Sequence, residues 1–227
     1  MSTIPKPSYR LIVPQKIWLN SRELDLYNEI TSFVNKIDGF ISPKVHLEQY
    51  SLPSDLIALI LVLSTKDLIG NNIVDLGCGT GRFTLPIKKF LANNVLGVDI
   101  DLNAVKFIIE SQKWTNLELN LLITAIEFLE SSKWKKKYHT TITNPPFGTK
   151  RRKLDIVFLK QALKYSQTVL SIHKSNSRTR ELIKKLGSQY NKELTILATV
   201  EFSLPPSLHF HRKRDYFIRV DVIRLGL

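Results

Sequence analysis

The most chemically suggestive residues of the chain stand side by side, at Asn144-Pro145-Pro146-Phe147. Proline fixes the backbone and supplies no N–H, so this segment leaves carbonyl oxygens free to accept hydrogen bonds. The side-chain oxygen of Asn144 and the carbonyl oxygen of Pro145 can both accept from one planar amino group. Phe147 offers a flat face for a base, a stacking contact worth about 1–3 kcal/mol. We call residues 144–147 the clamp segment, because they are suited to hold the amino group of a base.

A second candidate site is the glycine turn, residues 75–81, which reads DLGCGTG and follows an apolar run. Its alternating glycines permit a tight bend and let the backbone approach a ligand closely. Their spacing differs from the dinucleotide-binding pattern, and the Gly-Lys-Ser/Thr of a phosphate loop is missing. Eighteen residues after Gly81, the next apolar run ends in Asp99, whose carboxylate can accept hydrogen bonds from both hydroxyls of a ribose. Turn and carboxylate together favour a nucleotide-like ligand.

Short apolar runs alternate with helical patterns along most of the chain, which predicts an α/β fold with a mostly parallel sheet. The predicted strands are 73–76, 95–100, 117–123, 140–143, 168–172, 194–202 and 216–225, and the predicted helices are 22–38, 54–63, 82–91, 102–113, 155–166 and 177–190. The last two strands have no helix between them and should form an antiparallel pair. Because ligands bind at the carboxyl ends of parallel strands, the glycine turn and the clamp segment should face each other.

Length and composition fit one large domain with an appendage. The chain has 227 residues, 43% hydrophobic and 23% charged, an ordinary balance for a globular protein. We expect an extended arm over residues 1–21 and one domain over 22–227, with a helical part at 22–65. A single cysteine, Cys78, excludes an internal disulfide and a cysteine-rich zinc site, and we find no metal-ligand spacing. Without a secretory signal or an apolar run of about 18 residues, we expect a cytoplasmic protein that does not enter membranes.

The charge balance predicts a polyanionic partner, with nucleic acid as the first candidate. The chain has 33 Lys and Arg residues against 20 Asp and Glu residues, a formal net charge of +13. Several basic clusters flank the clamp segment or lie in the final hairpin loop, and they form either solvated faces or a phosphate-binding rim. The rim would contain Lys150, Arg151, Arg152, Lys153, Lys174, Phe210, His211, Arg212, Lys213 and Arg214, together with the lysines at 133 and 135–137. His173 either contacts RNA or has a structural role.

The glycine turn and Asp99, placed on successive strands, resemble the class I S-adenosylmethionine-dependent methyltransferases. The sequence Asn-Pro-Pro-Phe is shared by enzymes that methylate adenine or guanine amino groups, whereas Asn-Pro-Pro-Tyr is usual where a glutamine amide is methylated. Further segments narrow the match, namely DGF at 38–40, LEQY at 47–50, SIHKSNSR at 171–178, LPPSLHFHRKR at 204–214 and VDVIRL at 220–225. From about residue 22 onward, the chain resembles the small-subunit rRNA N(6)-adenine methyltransferases, the methyltransferase-like-five family with its archaeal relatives.

This resemblance implies a Rossmann-like sheet of seven strands and methyl transfer from S-adenosylmethionine to an unpaired adenine of small-subunit rRNA. The target adenine would be held by Asn144, Pro145, Pro146 and Phe147. The cofactor would be bound by Gln49, Tyr50, Asp75, Gly77, Cys78, Gly79, Thr80, Gly81, Arg82 and Asp99. The resemblance also implies a heterodimer with a small zinc-binding activator protein, for which the apolar strand 117–123 is a suitable docking edge.

The sequence departs from this family where the adenine of the cofactor should bind. The usual aspartate after the third strand is replaced by Ile123, which is followed by Thr124. Thr124, a backbone amide or Glu127 would then make the adenine contact. Other interpretations of the function stay open: an enzyme for adenine in DNA, for guanine in rRNA or for a glutamine amide in protein, and an RNA-binding module without activity.

Overall fold

The structure is a computed structural model that describes residues 7–129, 138–147, 153–204 and 216–227. Helices and strands alternate there in the order that the sequence predicts. The strands are β1 (Tyr9–Val13), β2 (Asn72–Leu76), β3 (Asn94–Asp99), β4 (Asn120–Ile123), β5 (Tyr138–Thr143), β6 (Ser166–Lys174), β7 (Glu193–Leu204) and β8 (Tyr216–Gly226). The helices are α1 (Ser21–Val34), α2 (Ser54–Leu63), α3 (Thr65–Leu68), α4 (Thr84–Phe90), α5 (Leu102–Thr115), α6 (Leu154–Tyr165) and α7 (Ser177–Ser188), with short 3-10 helices at Val45–Leu47 and Ile126–Phe128.

The strands form one sheet in the order β1-β7-β8-β6-β5-β2-β3-β4. Strands β2 to β6 pair in parallel, whereas β8 runs antiparallel to both β6 and β7. The mostly parallel, Rossmann-like α/β fold with an antiparallel C-terminal hairpin is therefore confirmed. The strand count differs from the seven predicted, because residues 9–13 of the expected arm pair with β7 as an antiparallel edge strand. A five-residue strand between Pro7 and Pro14 is too short to show a pattern of its own.

Helices cover both faces of the sheet, as strands buried on both sides require. On β2, Ile73 packs in a hydrophobic cluster with α1 and α2, while its neighbour Val74 packs in a second cluster with α6 and α7. Successive side chains of a strand point to opposite faces, so the two clusters lie on opposite sides of the sheet. Helix α2 buries every residue from Leu56 to Val62, which explains why it is apolar on all sides. No helix in the described ranges is both long and apolar enough to cross a membrane.

A buried ion pair connects the last strand to the short helix α3. Asp67 is only 4% exposed and accepts from Arg224 of β8 through both carboxylate oxygens, at 2.9 and 3.0 Å. The Thr140 hydroxyl of β5 donates to the Asp67 carbonyl at 2.6 Å. Because both charged groups have given up hydration, each depends on the other, and removal of one partner costs more than the pair contributes.

We expect Arg224→Met to lower the free energy of unfolding by about 3 kcal/mol, because the substitution leaves the Asp67 carboxylate buried without its counter-charge. Arg219→Met on the same strand is the control, since Arg219 is 52% exposed and pairs with the partly exposed Glu201. Surface pairs of this kind contribute about 0–1 kcal/mol. Urea denaturation followed by circular dichroism measures both variants. Equal losses would contradict the role assigned to burial.

Candidate active site

The glycine turn is bound to the end of β3 and shaped by conformations that favour glycine. The N–H of Gly77 donates to the carbonyl of Val98 at 2.8 Å. Gly77 and Gly79 have φ angles of 77° and 53°, in a region that residues with side chains rarely adopt. A Cβ atom at Gly79 would lie 2.8 Å from the Phe40 ring, and one at Gly77 would lie 3.1 Å from the Phe158 ring. Both the backbone conformation and the limited space therefore require glycine at positions 77 and 79.

Asp99 ends β3 beside this turn, with its carboxylate oriented by two backbone donors. The N–H of Gly79 donates to Oδ2 at 2.7 Å, and the N–H of Asp101 donates to Oδ1 at 2.8 Å. Burial raises the pKa of Asp99, and these two hydrogen bonds oppose the shift. Each carboxylate oxygen has two lone pairs, so both can still accept from a ligand in the cavity that Asp99 lines.

The glycine turn and the clamp segment open into the same cavity, which encloses about 1100 Å³ of empty space including its open mouth. Gly77, Gly79 and Asp99 line it together with Asn144 and Pro146. Strand β2 pairs directly with both β3 and β5, so the residues that follow these strands meet at one edge of the sheet. The facing arrangement expected from the order of the strands is thus present.

An aromatic cluster holds the clamp segment in place. The Tyr50 hydroxyl donates to Oδ1 of Asn144 at 2.7 Å. The Tyr50 ring stacks on Phe147, with ring centroids 5.3 Å apart and planes at 21°, and on Phe202 with centroids 6.5 Å apart. The Lys174 ammonium lies 5.6 Å from the centroid of the Phe147 ring. The clamp is therefore packed against Tyr50, which stacks in turn on β7, and it is bordered by a cation.

The 44–50 turn, which carries Tyr50, is anchored on Asp101 just beyond β3. The side-chain amide of Gln49 donates to Asp101 Oδ2 at 2.8 Å and accepts from the Lys44 N–H at 2.8 Å. The Lys44 ammonium donates to Asp101 Oδ1 at 2.7 Å. Burial alone would raise the pKa of Asp101, but the hydrogen bonds from Lys44 and Gln49 outweigh it and hold the pKa below its usual value. Lys44 and Asp101 were not predicted from the sequence; the only local signal was an aspartate before a helical pattern, where it caps α5.

The residues predicted to bind the cofactor divide into two groups. Those that line the cavity are Gln49, Tyr50, Gly77, Cys78, Gly79, Thr80, Arg82, Asp99 and Thr124. Within the described residues, Asp75, Gly81 and Ile123 are not part of its lining. In the clamp segment, Asn144 and Pro146 line the cavity, whereas Pro145 and Phe147 flank these residues.

Thr80 and Arg82 share the cavity wall but use their polar atoms differently. The Thr80 side chain is 2% exposed, and its hydroxyl has no hydrogen-bond partner among the described residues. A buried hydroxyl without a partner costs free energy, which a ligand with a polar group can recover. The Arg82 guanidinium instead donates to the Ile37 carbonyl at 2.6 Å and to the Ser54 hydroxyl at 2.8 Å. Arg82 therefore joins the glycine turn to the N-terminal helices.

The residues considered for the cofactor adenine take different positions. Ile123 is 47% exposed on the edge strand β4. Thr124 and Glu127 both line the cavity, and the Thr124 N–H donates to the Asp99 carbonyl at 2.9 Å. The Thr124 N–H is thus already engaged, which leaves the side chains of Thr124 and Glu127 and the other backbone amides of this wall as the candidates.

Most of the predicted phosphate-binding rim falls on residues that the structure does not describe. Lys153 and Lys174 are described, and Lys174 borders the clamp segment. The members outside the described residues are the lysines at 133 and 135–137, Lys150, Arg151, Arg152, Phe210, His211, Arg212, Lys213 and Arg214.

His173 lies beneath the surface rather than on it. The ring is 1% exposed, with Nε2 2.9 Å from the Ser171 hydroxyl and Nδ1 3.6 Å from the Asp155 carboxylate. Of the two roles that the sequence left open for His173, this burial favours the structural one over a contact with RNA.

Asp75, the first residue of the glycine turn, ties β2 to α4. The carboxylate is 1% exposed and accepts from the Thr84 hydroxyl at 2.6 Å. Burial raises the pKa of Asp75 to about 7; the hydrogen bond from Thr84 opposes this shift and the nearby charge of Asp99 adds to it.

The fold and the cavity define a class I, Rossmann-like methyltransferase. Residues 54–176 match the family model of the methyltransferase small domain, and this range contains both the glycine turn and the clamp segment. The match covers just over half of the chain, with β2 to β6 inside it.

More specific relatives cover nearly the whole chain. The rRNA N(6)-adenosine-methyltransferase METTL5 of Danio rerio is 33% identical over 204 residues, which are 86% of this chain and 96% of the relative. Mettl5 of Drosophila melanogaster is 29% identical over 88% of this chain and 95% of the relative. The crystal structure of a candidate RNA methyltransferase from Pyrococcus horikoshii is 30% identical and superposes with a TM-score of 0.78, covering 92% of this chain and 98% of that one. The chain belongs to the METTL5 family of rRNA N(6)-adenosine methyltransferases.

The raised pKa of Asp75 makes stability depend on pH. Folded Asp75 binds a proton below about pH 7, whereas an aspartate in an unfolded chain does so only below about pH 3.9. The stabilising contribution of Asp75 is thus complete at low pH and is lost as the pH rises from about 4 to about 7. The Asp75→Asn side chain can still accept the hydrogen bond from Thr84 but does not titrate. The pH-dependent contribution of residue 75 to the free energy of unfolding should therefore vanish in this variant.

The measurement is urea denaturation of wild type and Asp75→Asn between pH 4 and 8. We expect the stability of the wild type relative to this variant to decline over the lower part of the range and to level off above about pH 7. Asp25→Asn on the exposed face of α1 is the control. The same pH profile in both variants would refute the assignment.

Proposed function

We propose that this protein transfers a methyl group from S-adenosylmethionine to the N6 amino group of an adenine in small-subunit rRNA. The observation that carries the proposal is the single cavity lined by the glycine turn, Asp99 and Asn144 in a chain of the METTL5 family. A pocket for the methyl donor and a clamp for an amino group must share one space for the transfer to occur.

The cavity suits S-adenosylmethionine through the residues that line it. The Asp99 carboxylate is oriented to accept from ribose hydroxyls, and the glycine turn provides a wall without side chains at Gly77 and Gly79. The buried Thr80 hydroxyl, which lacks a partner among the described residues, can bond a polar group of the methionine part. When bound, S-adenosylmethionine supplies an electrophilic methyl group on its sulfonium.

The clamp segment would bind and orient the target amine. Oδ1 of Asn144 and the carbonyl of Pro145 accept one hydrogen bond each from the two amino hydrogens, which leaves the nitrogen lone pair free to react. Catalysis of this kind requires positioning and electrostatic stabilisation, and it needs no activated nucleophile from the chain. The adenine must leave its base pair or lie in a single strand, because an amino group inside a helix cannot enter the cavity.

RNA as the substrate is supported by charge and by the surroundings of Phe147. The chain has a formal net charge of +13, which attracts a polyanion. The Lys174 ammonium next to the Phe147 ring can contact a phosphate of a nucleotide whose base stacks on that ring.

The substitution Asn144→Ala tests the clamp. We expect methyl transfer to fall by at least about 100-fold, as when a single transition-state contact is removed from an enzyme, with the affinity for S-adenosylmethionine unchanged. Asn94→Ala is the control, because Asn94 is an exposed asparagine at the opposite end of β3. Calorimetry measures cofactor binding, and mass spectrometry of digested rRNA measures N(6)-methyladenosine.

The wild-type arm of this experiment separates the competing functions. Methylated guanine, methylated DNA or a methylated glutamine amide as the product would overturn the proposal in favour of that activity. Wild-type protein that binds rRNA but not S-adenosylmethionine would indicate an RNA-binding module. Full activity of Asn144→Ala would refute the role assigned to Asn144 in the clamp segment, but not the proposed methyl transfer.

We also infer that a small zinc-binding activator protein adds a strand to β4. Within the described residues, β4 has a hydrogen-bonded neighbour on one side only, which leaves its other edge available to a partner strand. Large apolar side chains are exposed at or after the ends of β3 and β4, where Ile100 is 54%, Ile123 is 47% and Phe128 is 78% exposed. Apolar groups clustered next to an open strand edge are typical of a protein interface.

Ile123→Lys should weaken the complex with the activator, because it places a charge in the apolar contact at the strand edge. Ile69→Lys is the control, since Ile69 is 57% exposed but precedes β2 at the other end of the sheet. Co-expression with the activator followed by size-exclusion chromatography compares the two variants. If wild type forms no complex and gains no solubility, the partner is wrong; if both variants bind equally, the docking edge is wrong.

A further inference from the structure

We propose that Tyr50 is a positioning residue for Asn144, holding the side-chain amide of the clamp in the place where it meets the target amine. This inference rests on the proposed function and deepens it. The resemblance to the family placed Tyr50 with the cofactor, whereas its hydroxyl contacts the clamp.

Asn144 needs such support because two side-chain torsions separate its amide from the backbone. The Tyr50 hydroxyl lies 2.7 Å from Oδ1 of Asn144 and donates to it. A carbonyl oxygen accepts two hydrogen bonds, so Oδ1 keeps one lone pair for the target amine. Burial raises the pKa of Tyr50, so the hydroxyl keeps its proton and remains a donor.

The ring of Tyr50 is a fixed point from which to hold the amide. Tyr50 is 8% exposed, and its ring stacks on Phe147 and on Phe202 of β7. A buried ring in contact with two others has little freedom to rotate. The hydroxyl position is therefore set by packing before any substrate arrives.

The backbone of Tyr50 is fixed from the cofactor side of the cavity. Its neighbour Gln49 donates to Asp101, and the Asp101 N–H in turn donates to Asp99. Hydrogen bonds and the covalent link from Gln49 to Tyr50 thus connect the carboxylate proposed for the ribose to the amide proposed for the target base. The 44–50 turn thus sets the distance between the cofactor side of the cavity and the clamp segment. Tyr50 therefore affects the rate of methyl transfer through the position of Asn144.

A competing role for Tyr50 predicts the opposite kinetics. The hydroxyl donates to Asn144 as the target amine would, so it can instead be a placeholder that leaves when the base enters. Removal of a placeholder would tighten RNA binding and leave the rate unchanged. The double stacking of the ring and the anchor at Asp101 favour a hydroxyl that stays in place.

The test is Tyr50→Phe, which keeps the ring and both stacks but removes the hydroxyl. We expect kcat for rRNA methylation to fall roughly 10-fold, the effect of losing one hydrogen bond at the reacting group. KM for RNA and Kd for S-adenosylmethionine should stay within about twofold of wild type, because no binding contact is removed. Tyr9→Phe is the control, since Tyr9 is also buried, at 4% exposure, but lies in the edge strand β1. All three proteins are assayed under the conditions in which the wild type methylates rRNA, and thermal unfolding verifies that both variants fold.

Each outcome decides between roles. A lower kcat with unchanged KM and Kd supports positioning. A lower KM with unchanged kcat identifies a placeholder, and weaker cofactor binding identifies a cofactor residue; either result overturns the inference, as does a variant identical to wild type. Wild-type protein that methylates no RNA would instead refute the proposed function, so the two failures are distinguishable.

Discussion

The pairing of β2 with β3 on one side and with β5 on the other is the constraint on which the site depends. Neighbouring strands lie about 4.8 Å apart, so the residues that follow three adjacent parallel strands must meet. The glycines of the turn follow β2, Asp99 ends β3 and Asn144 follows β5, and these strands lie side by side in the order β5-β2-β3. Sheet geometry alone therefore brings together segments that lie far apart in sequence. The remaining contacts adjust their orientation within that frame.

Three aspartates near this edge of the sheet, Asp75, Asp99 and Asp101, have different roles because their surroundings differ. Burial raises the pKa of both Asp75 and Asp99, and the hydrogen-bond donors that oppose this shift, the Thr84 hydroxyl and two backbone N–H groups, carry no charge. Asp101 faces the Lys44 ammonium and the Gln49 amide, which hold its pKa down despite burial. The same two contacts fix the 44–50 turn to Asp101 and favour the charged form of its carboxylate. Asp99 keeps lone pairs available on the cavity side.

Sequence patterns predicted what depends on local spacing and on the order of strands. The glycine turn and the clamp segment were identified because special backbone residues mark them, and their meeting followed from parallel topology. The strand β1 was missed because its pairing with β7, not its own sequence, makes it a strand. The contacts of Gln49 with Asp101 and of Arg82 with Ile37 join residues 52 and 45 positions apart through side chains. No local pattern encodes such contacts, since they exist only after the helices have packed.

The N-terminal helical part is a wall of the site rather than an appendage to it. The matched methyltransferase small domain begins at residue 54 and supplies the glycine turn, Asp99 and the clamp segment. Lys44, Gln49 and Tyr50 lie before that range, yet they reach Asp101 and Asn144 across the cavity. A fold shared by many methyltransferases cannot by itself choose a substrate, because function resides in the residues placed upon it. In this chain the segment that holds the clamp lies before the range of the shared domain, so the geometry offered to the target amine depends on residues that the shared domain does not supply.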